Sequence, residues 1–112
     1  MVILSSLVFY DVEERLFRGS YRVFLDREEV LGWHAWFCRR FNLRVGLVFD
    51  DRTFGYYDID LDAVGVPSVV SLGVLLHEFG HVLEHKRFGF TSHRERLFQV
   101  IHDLNMAAGV SV

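Results

Sequence analysis

The stretch HEFGHVLEH, residues 77–85, sets His77, His81 and His85 four residues apart and puts Glu78 directly after the first. Along a helix, four residues advance about 6 Å and overshoot a full turn by about 40°. Imidazoles at that spacing leave the helix on one side. Two of their nitrogens can then reach one zinc ion with bonds of about 2.0–2.1 Å, the arrangement expected of an H-E-x-x-H helix. Glu78 lies about 100° further round the helix. It flanks such an ion, within reach of a water, and this is the position of a general base. His85 does not fit the same ion, because it lies about 12 Å along the axis from His77 and a tetrahedron cannot be stretched so far. Glu84, about 10 Å along, fails for the same reason. His85 suits a solvated place in the last turn, where the helix dipole favours a cation.

Two histidines and a base leave a third protein ligand to be found. His93, Glu95 and His102 are the downstream candidates. The helix that carries the motif is predicted over roughly residues 69–87, after Pro67 and Ser68, with Gly89 closing it in a left-handed conformation. A turn there folds the next helix back toward His81. Ser92 as N-cap with Glu95 as its reciprocal partner predicts a capping box at the start of that helix, which places His93 at the first helical position. Glu95 would combine capping with ligation, and His102, nearly three turns on, suits the core or the surroundings of the site. Leu97, Ile101, Leu104 and Ala108 form the apolar stripe of this last helix.

The remaining elements must position that helix pair. VILSSLVFY, residues 2–10, reads as a buried strand: it is too short to span a membrane and lacks the basic start of a signal peptide. SYRVFL alternates as a short strand. Asp26 and Glu29 form a capping box that opens a helix over REEVLGWHAWFCRRF, with Trp33, Trp36 and Phe37 on its core side and Asn42 just past its end. RVGLVF, the turn DDRT and FGYYDIDL predict a hairpin. His34 and Cys38 are also four apart but have no further ligands nearby in sequence. Gly80 inside the motif helix costs about 1 kcal/mol relative to alanine, which suggests that a neighbouring element comes close. The expected architecture is a single α+β domain over residues 1–112: a small antiparallel or mixed sheet, an active-site helix, and a C-terminal helix packed on it.

Composition narrows the class. In 112 residues, 51% hydrophobic and 15% aromatic content supply one real core, which excludes a disordered chain. A net charge of −3 without a basic block gives no electrostatic footprint for nucleic acid. One cysteine, Cys38, rules out an intrachain disulfide and suits a reducing, cytoplasmic setting.

HEFGHVLEHKRFGFTSHRERLFQVI resembles the core of SprT-like zinc metallopeptidases, with an HExxH helix, a short turn, and a histidine that opens a second helix. Phe88-Gly89, Leu97-Phe98 and the upstream FGYYDIDL also fit, so the similarity covers about residues 54–101. It implies a zincin-like fold, a zinc cofactor held by His77, His81 and His93, Glu78 as general base, and protein or peptide substrates. Arg94 stands where that family usually has a small residue, and the zinc ribbon and DNA-binding segments of larger members have no counterpart here. A second similarity, to minimal soluble gluzincins, implies Glu95 as third ligand. Hydrolysis would also need an oxyanion donor, for which Tyr56, Tyr57 and Arg94 are candidates. A non-catalytic or latent zinc-stabilised domain that binds a peptide in the same cleft is the alternative reading, with the short tail AAGVSV as a possible blocking segment.

Overall fold

The computed structural model describes residues 6–110. Its centre is helix α4 (Leu72–Phe88), buried on nearly every side from Leu72 to Glu84. Ser71 caps its first turn by accepting from the Val74 N–H at 3.1 Å, so it starts three residues later than the sequence suggests. The intervening Val70 and Ser71 are drawn into a short strand. Gly89 ends α4 with φ 81°, its N–H donating to the His85 carbonyl, which is the left-handed stop expected of glycine.

Around α4 the chain builds a small α+β fold. Helices α1 (Ser6–Leu16) and α2 (Arg18–Tyr21) come first, then strand β1 (Phe24–Leu25) and helix α3 (Arg27–Arg40). Strands β2 (Gly46–Phe49), β3 (Tyr56–Asp58), β4 (Ala63–Val66) and β5 (Val70–Ser71) follow, then α4 and α5 (Glu95–Ala107). The capping box of α3 is present: Glu29 N–H donates to Asp26 at 2.9 Å, and Asp26 N–H donates to Glu29 at 3.2 Å. Phe37 is fully buried and stacks flat on Phe79 of α4, centroids 4.3 Å apart. Trp33 and Trp36 pack at the edge of the same core. Among the described residues no helix is long and apolar enough to cross a membrane.

The sheet departs from the expected hairpin. Its order is β2-β4-β3, with β2 and β4 parallel and β3 and β4 antiparallel. FGYYDIDL is extended only over residues 56–58. The Asp58 carboxylate then accepts from the N–H groups of Asp60 and Leu61, and Asp62 takes φ 50°. This turn returns the chain as β4, whose four residues are all buried. Burial on both faces removes the alternation that marks a strand, which is why AVGV carries no strand signal of its own. The segment SYRVFL also divides, ending α2 and then supplying β1, which pairs antiparallel with β5.

From Ser6 onward the N-terminal run is helical rather than a strand. Residues 1–5 lie outside the described residues; from Ser6 onward the chain is α1. Phe9 and Glu13 are buried at the four-residue spacing of one helix face, and Phe17, the residue after α1, is buried as well. Phe9 and Phe17 join Leu97 and Ile101 of α5 in a second small core, apart from the main one over α3, α4 and the sheet. A glutamate on that buried face hides the helix from hydrophobic patterning.

Helices α4 and α5 meet at Gly80, where a Cβ would fall 2.8 Å from Cγ1 of Ile101. The helix-weakening glycine is thus explained by contact. Gly80→Val is expected to lower stability by about 2 kcal/mol, in the range for overpacking. Urea denaturation of the metal-free protein checks it, and an unchanged midpoint would show that the helices are not held this closely.

Candidate metal centre

Helix α4 projects His77 and His81 from one side, and the segment after Gly89 brings His93 to meet them. The three Nε2 atoms form a triangle with edges of 3.0 Å (His77–His81), 3.2 Å (His81–His93) and 3.3 Å (His93–His77). A tetrahedral ion with bonds of 2.0–2.1 Å separates its ligand nitrogens by about 3.3 Å. The opposite ring nitrogens are engaged elsewhere in two cases. His77 Nδ1 lies 2.7 and 2.8 Å from the two oxygens of Glu13, and His81 Nδ1 lies 2.6 Å from Thr91 Oγ1. A proton on one edge of the triangle satisfies only one pair of nitrogens, whereas a divalent cation at its centre satisfies all three. The group can therefore hold a metal ion.

The segment that delivers His93 is fastened by Glu84. This carboxylate is 1% exposed; it accepts from the Ser92 N–H at 3.0 Å and from Arg96 Nε at 3.0 Å. The Arg96 guanidinium also lies over the Phe88 and Phe90 rings at 3.8 and 4.6 Å. Because a buried carboxylate needs donors, it claims the Ser92 N–H, and the predicted capping box of Ser92 with Glu95 does not form. Helix α5 begins instead at Glu95 with Arg94 as N-cap and no side-chain cap bond. His93 precedes the helix by two residues. Glu95 is exposed and outside the triangle, and His102 is exposed, 3.7 Å from Asp103, rather than part of the core or the site's surroundings. His85 stands apart, near the Tyr57 hydroxyl at 3.4 Å. His34 donates to the Val45 carbonyl at 2.7 Å, with Cys38 Sγ 3.7 Å away, a structural pair.

The electrostatics follow from burial. Desolvation lowers His77 to about 4 and, together with His77 and His93, lowers His81 to about 3. His93 is lowered by the same cause. These rings are neutral at pH 7, the form in which an imidazole nitrogen binds a cation. Burial raises Glu13 to about 8, and burial reinforced by Glu13 raises Glu78 to about 8. Glu78 is 4% exposed, and among the described residues nothing hydrogen-bonds its carboxylate. Gly55, with φ 149°, leaves room for it: a Cβ there would lie 3.3 Å from Glu78 Oε2 and 2.9 Å from Val74. His77 and Glu78 line an open cleft of about 440 Å³ with Tyr10, Phe54, Gly55 and Val74.

Two residues here escaped the sequence reading. Glu13 orients His77 from α1, and Tyr10, one turn earlier, packs its ring 4.8 Å from His77 and 5.3 Å from His93. The tyrosines singled out from sequence point elsewhere. Tyr57 donates to Asp62 at 2.8 Å, and Tyr56 covers Gly65. Arg94 lines a separate pocket beside Glu84 and Phe90. The tail residues Ala108 and Val110 pack against the main core and not in the cleft. Compared with protein-family profiles, with curated proteins and with solved structures, the chain matches none.

Two predictions follow from this geometry. A carboxylate that orients a liganding histidine typically contributes 10–100-fold in affinity, so Glu13→Ala should weaken zinc binding by about that factor. His93→Ala should abolish stoichiometric zinc and Glu95→Ala should leave it unchanged, by mass spectrometry and competition titration. The pH dependence has a definite sign. With the imidazoles already neutral and the carboxyls protonated below about 8, a cation entering at pH 7 draws protons from carboxyls. Calorimetry in buffers of different ionisation enthalpy should show release of about one to two protons, and affinity should keep rising up to pH 8. A plateau already reached at pH 6.5 would show ordinary exposed histidines instead.

Proposed function

We propose that this chain is a zinc-dependent metallopeptidase of the HExxH type, SprT-like in the arrangement of His77, His81 and His93, and that it hydrolyses peptide bonds with Glu78 as general base. One observation carries the reading: the largely buried Glu78 carboxylate, with no hydrogen-bond partner among the described residues, lines the same cleft as His77, whose Nε2 converges with those of His81 and His93. A purely structural metal site has no use for such a group, since an unpaired buried carboxylate costs free energy.

The donor set is neutral, nitrogen-based and three in number, which suits a catalytic zinc rather than a closed structural one. When bound, zinc supplies a Lewis acid that lowers the pKa of a water toward 7 and polarises a carbonyl. Glu78 takes the water proton on a carboxylate oxygen and returns it to the leaving amine. For this it must be ionised, and a divalent charge close by reverses the upward shift that burial imposes. Tyr10 keeps its proton, its hydroxyl being raised to about 12 by burial and by Glu78 and Glu13. It is the donor best placed to support a developing oxyanion. Strand β3 is an edge, paired only with β4, and its free side can align an extended peptide by strand addition. A single cysteine with no disulfide partner suits a cytoplasmic setting.

The test is Glu78→Gln. It should keep one zinc per chain and lose about 10²–10⁴-fold in hydrolysis of an unfolded protein substrate, the usual worth of a general base. Tyr10→Phe should lower kcat with little change in KM or zinc content. A zinc-loaded wild type that cleaves no unfolded protein would replace this reading with that of a zinc-stabilised peptide-binding domain.

A further inference from the structure

The catalytic cleft does not end at Glu78. A groove of about 610 Å³ continues from it between α1–α2 and the link from β4 to β5. Glu14, Tyr21, Phe54 and Val74 line both spaces. Along the groove stand three large apolar side chains that the fold leaves in water: Phe54 at 94% exposure, Phe24 at 67% and Val69 at 66%. Leaving a phenylalanine exposed forgoes the free energy that its burial would return. Scattered single cases need no explanation, but apolar residues gathered along one groove mark a binding surface.

Charge at the rim is also uneven. Asp11 and Arg15 neutralise each other at 3.1 Å. That leaves Glu14 against Arg18 and Arg22, neither of which forms an ion pair or side-chain hydrogen bond among the described residues. The groove is therefore apolar along its wall and positive in balance at its mouth. Gly55 at the start of the free β3 edge joins it to the cleft, so an extended chain held on that edge would pass from beside Glu78 over Phe54 into the groove.

We infer that the groove is the specificity subsite of this enzyme and takes an extended, unfolded polypeptide segment with a bulky apolar side chain next to the bond at Glu78 and acidic residues beyond it. The inference rests on the peptidase reading for its chemistry, but not for its occupant, because peptide binding can be measured without cleavage.

The experiment uses zinc-loaded Glu78→Gln protein and fluorescent peptides that differ at one position, read by anisotropy. A peptide with phenylalanine followed by glutamates should bind about tenfold tighter than its serine counterpart, an order set by burying one large side chain. Phe54→Ser and Phe24→Ser should each shrink that advantage; both side chains lie outside the core, so the fold is preserved. Replacing the peptide glutamates by lysines should weaken binding, and Arg18→Glu with Arg22→Glu should reverse that preference. Equal binding of the phenylalanine and serine peptides, or an advantage that survives both phenylalanine variants, overturns the inference. Selective binding with no cleavage by wild type would leave the groove standing and remove the peptidase reading. Cleavage without any preference would do the opposite.

Discussion

His77 is fully buried and has two ring nitrogens to satisfy, and the rest of the structure is arranged around that need. A buried polar atom without a partner costs roughly 1–3 kcal/mol. Nδ1 is met by Glu13, 64 residues away in sequence. Nε2 is met only by the other two imidazoles, or by an ion among them. For both to happen, α4 must run through the middle of the domain, α1 must lie across its first turns, and the chain after Gly89 must double back. The two apolar cores flank this point, the larger built on α3 and the sheet and the smaller on α1 and α5. The three-histidine group that could hold a metal ion occupies the seam between them.

That seam is electrostatically unfinished without a cation. Glu13 and Glu78 are both buried, and the charge of Glu13 adds to the cost that burial imposes on ionising Glu78. Burying a charge costs several kcal/mol unless it is compensated. The protein's own cations do not help: Arg96 is committed to Glu84 and Lys86 to Asp62. A divalent ion among the imidazoles offsets the two carboxylates and ends the repulsion of three converging lone pairs. A cation bound there would couple metal affinity to folding stability, through Glu13 as much as through the three imidazoles.

The parts of this architecture legible in the sequence were the local ones. HEFGHVLEH announced a helix with two histidines on one side, Asp26 and Glu29 announced α3, and Gly89 announced the end of α4, since each signal is contained in a few neighbouring residues. His93 was one of three candidates, and only the fold separates it from Glu95. The misread elements share one cause, a polar group whose partner is distant. Glu13 breaks the apolar face of α1 because its partner is His77. Ser92 abandons its capping role because Glu84, eight residues upstream, takes its N–H. Strand β4 was missed for the complementary reason, being buried throughout and so without alternation. Short-range patterns carry no record of such pairings.

The same distant pairings decide where the chemistry resides. The HExxH helix supplies two ligands and a base, and read alone it suggests that residues 54–101 suffice. Yet the partner of His77, the tyrosine ring packed against His77 and His93, and one wall of the groove all come from residues 9–24. The first helix therefore completes the site rather than decorating it. Its buried residues Phe9 and Glu13, with Phe17 just past its end, show how one element serves both ends: the two phenylalanines fix its position in the small core, and that position sets the Glu13 carboxylate against His77. Disturbing the packing of α1 would misalign His77 before it unfolded the domain, because the anchor Phe9 and the orienting carboxylate of Glu13 share one face of that helix.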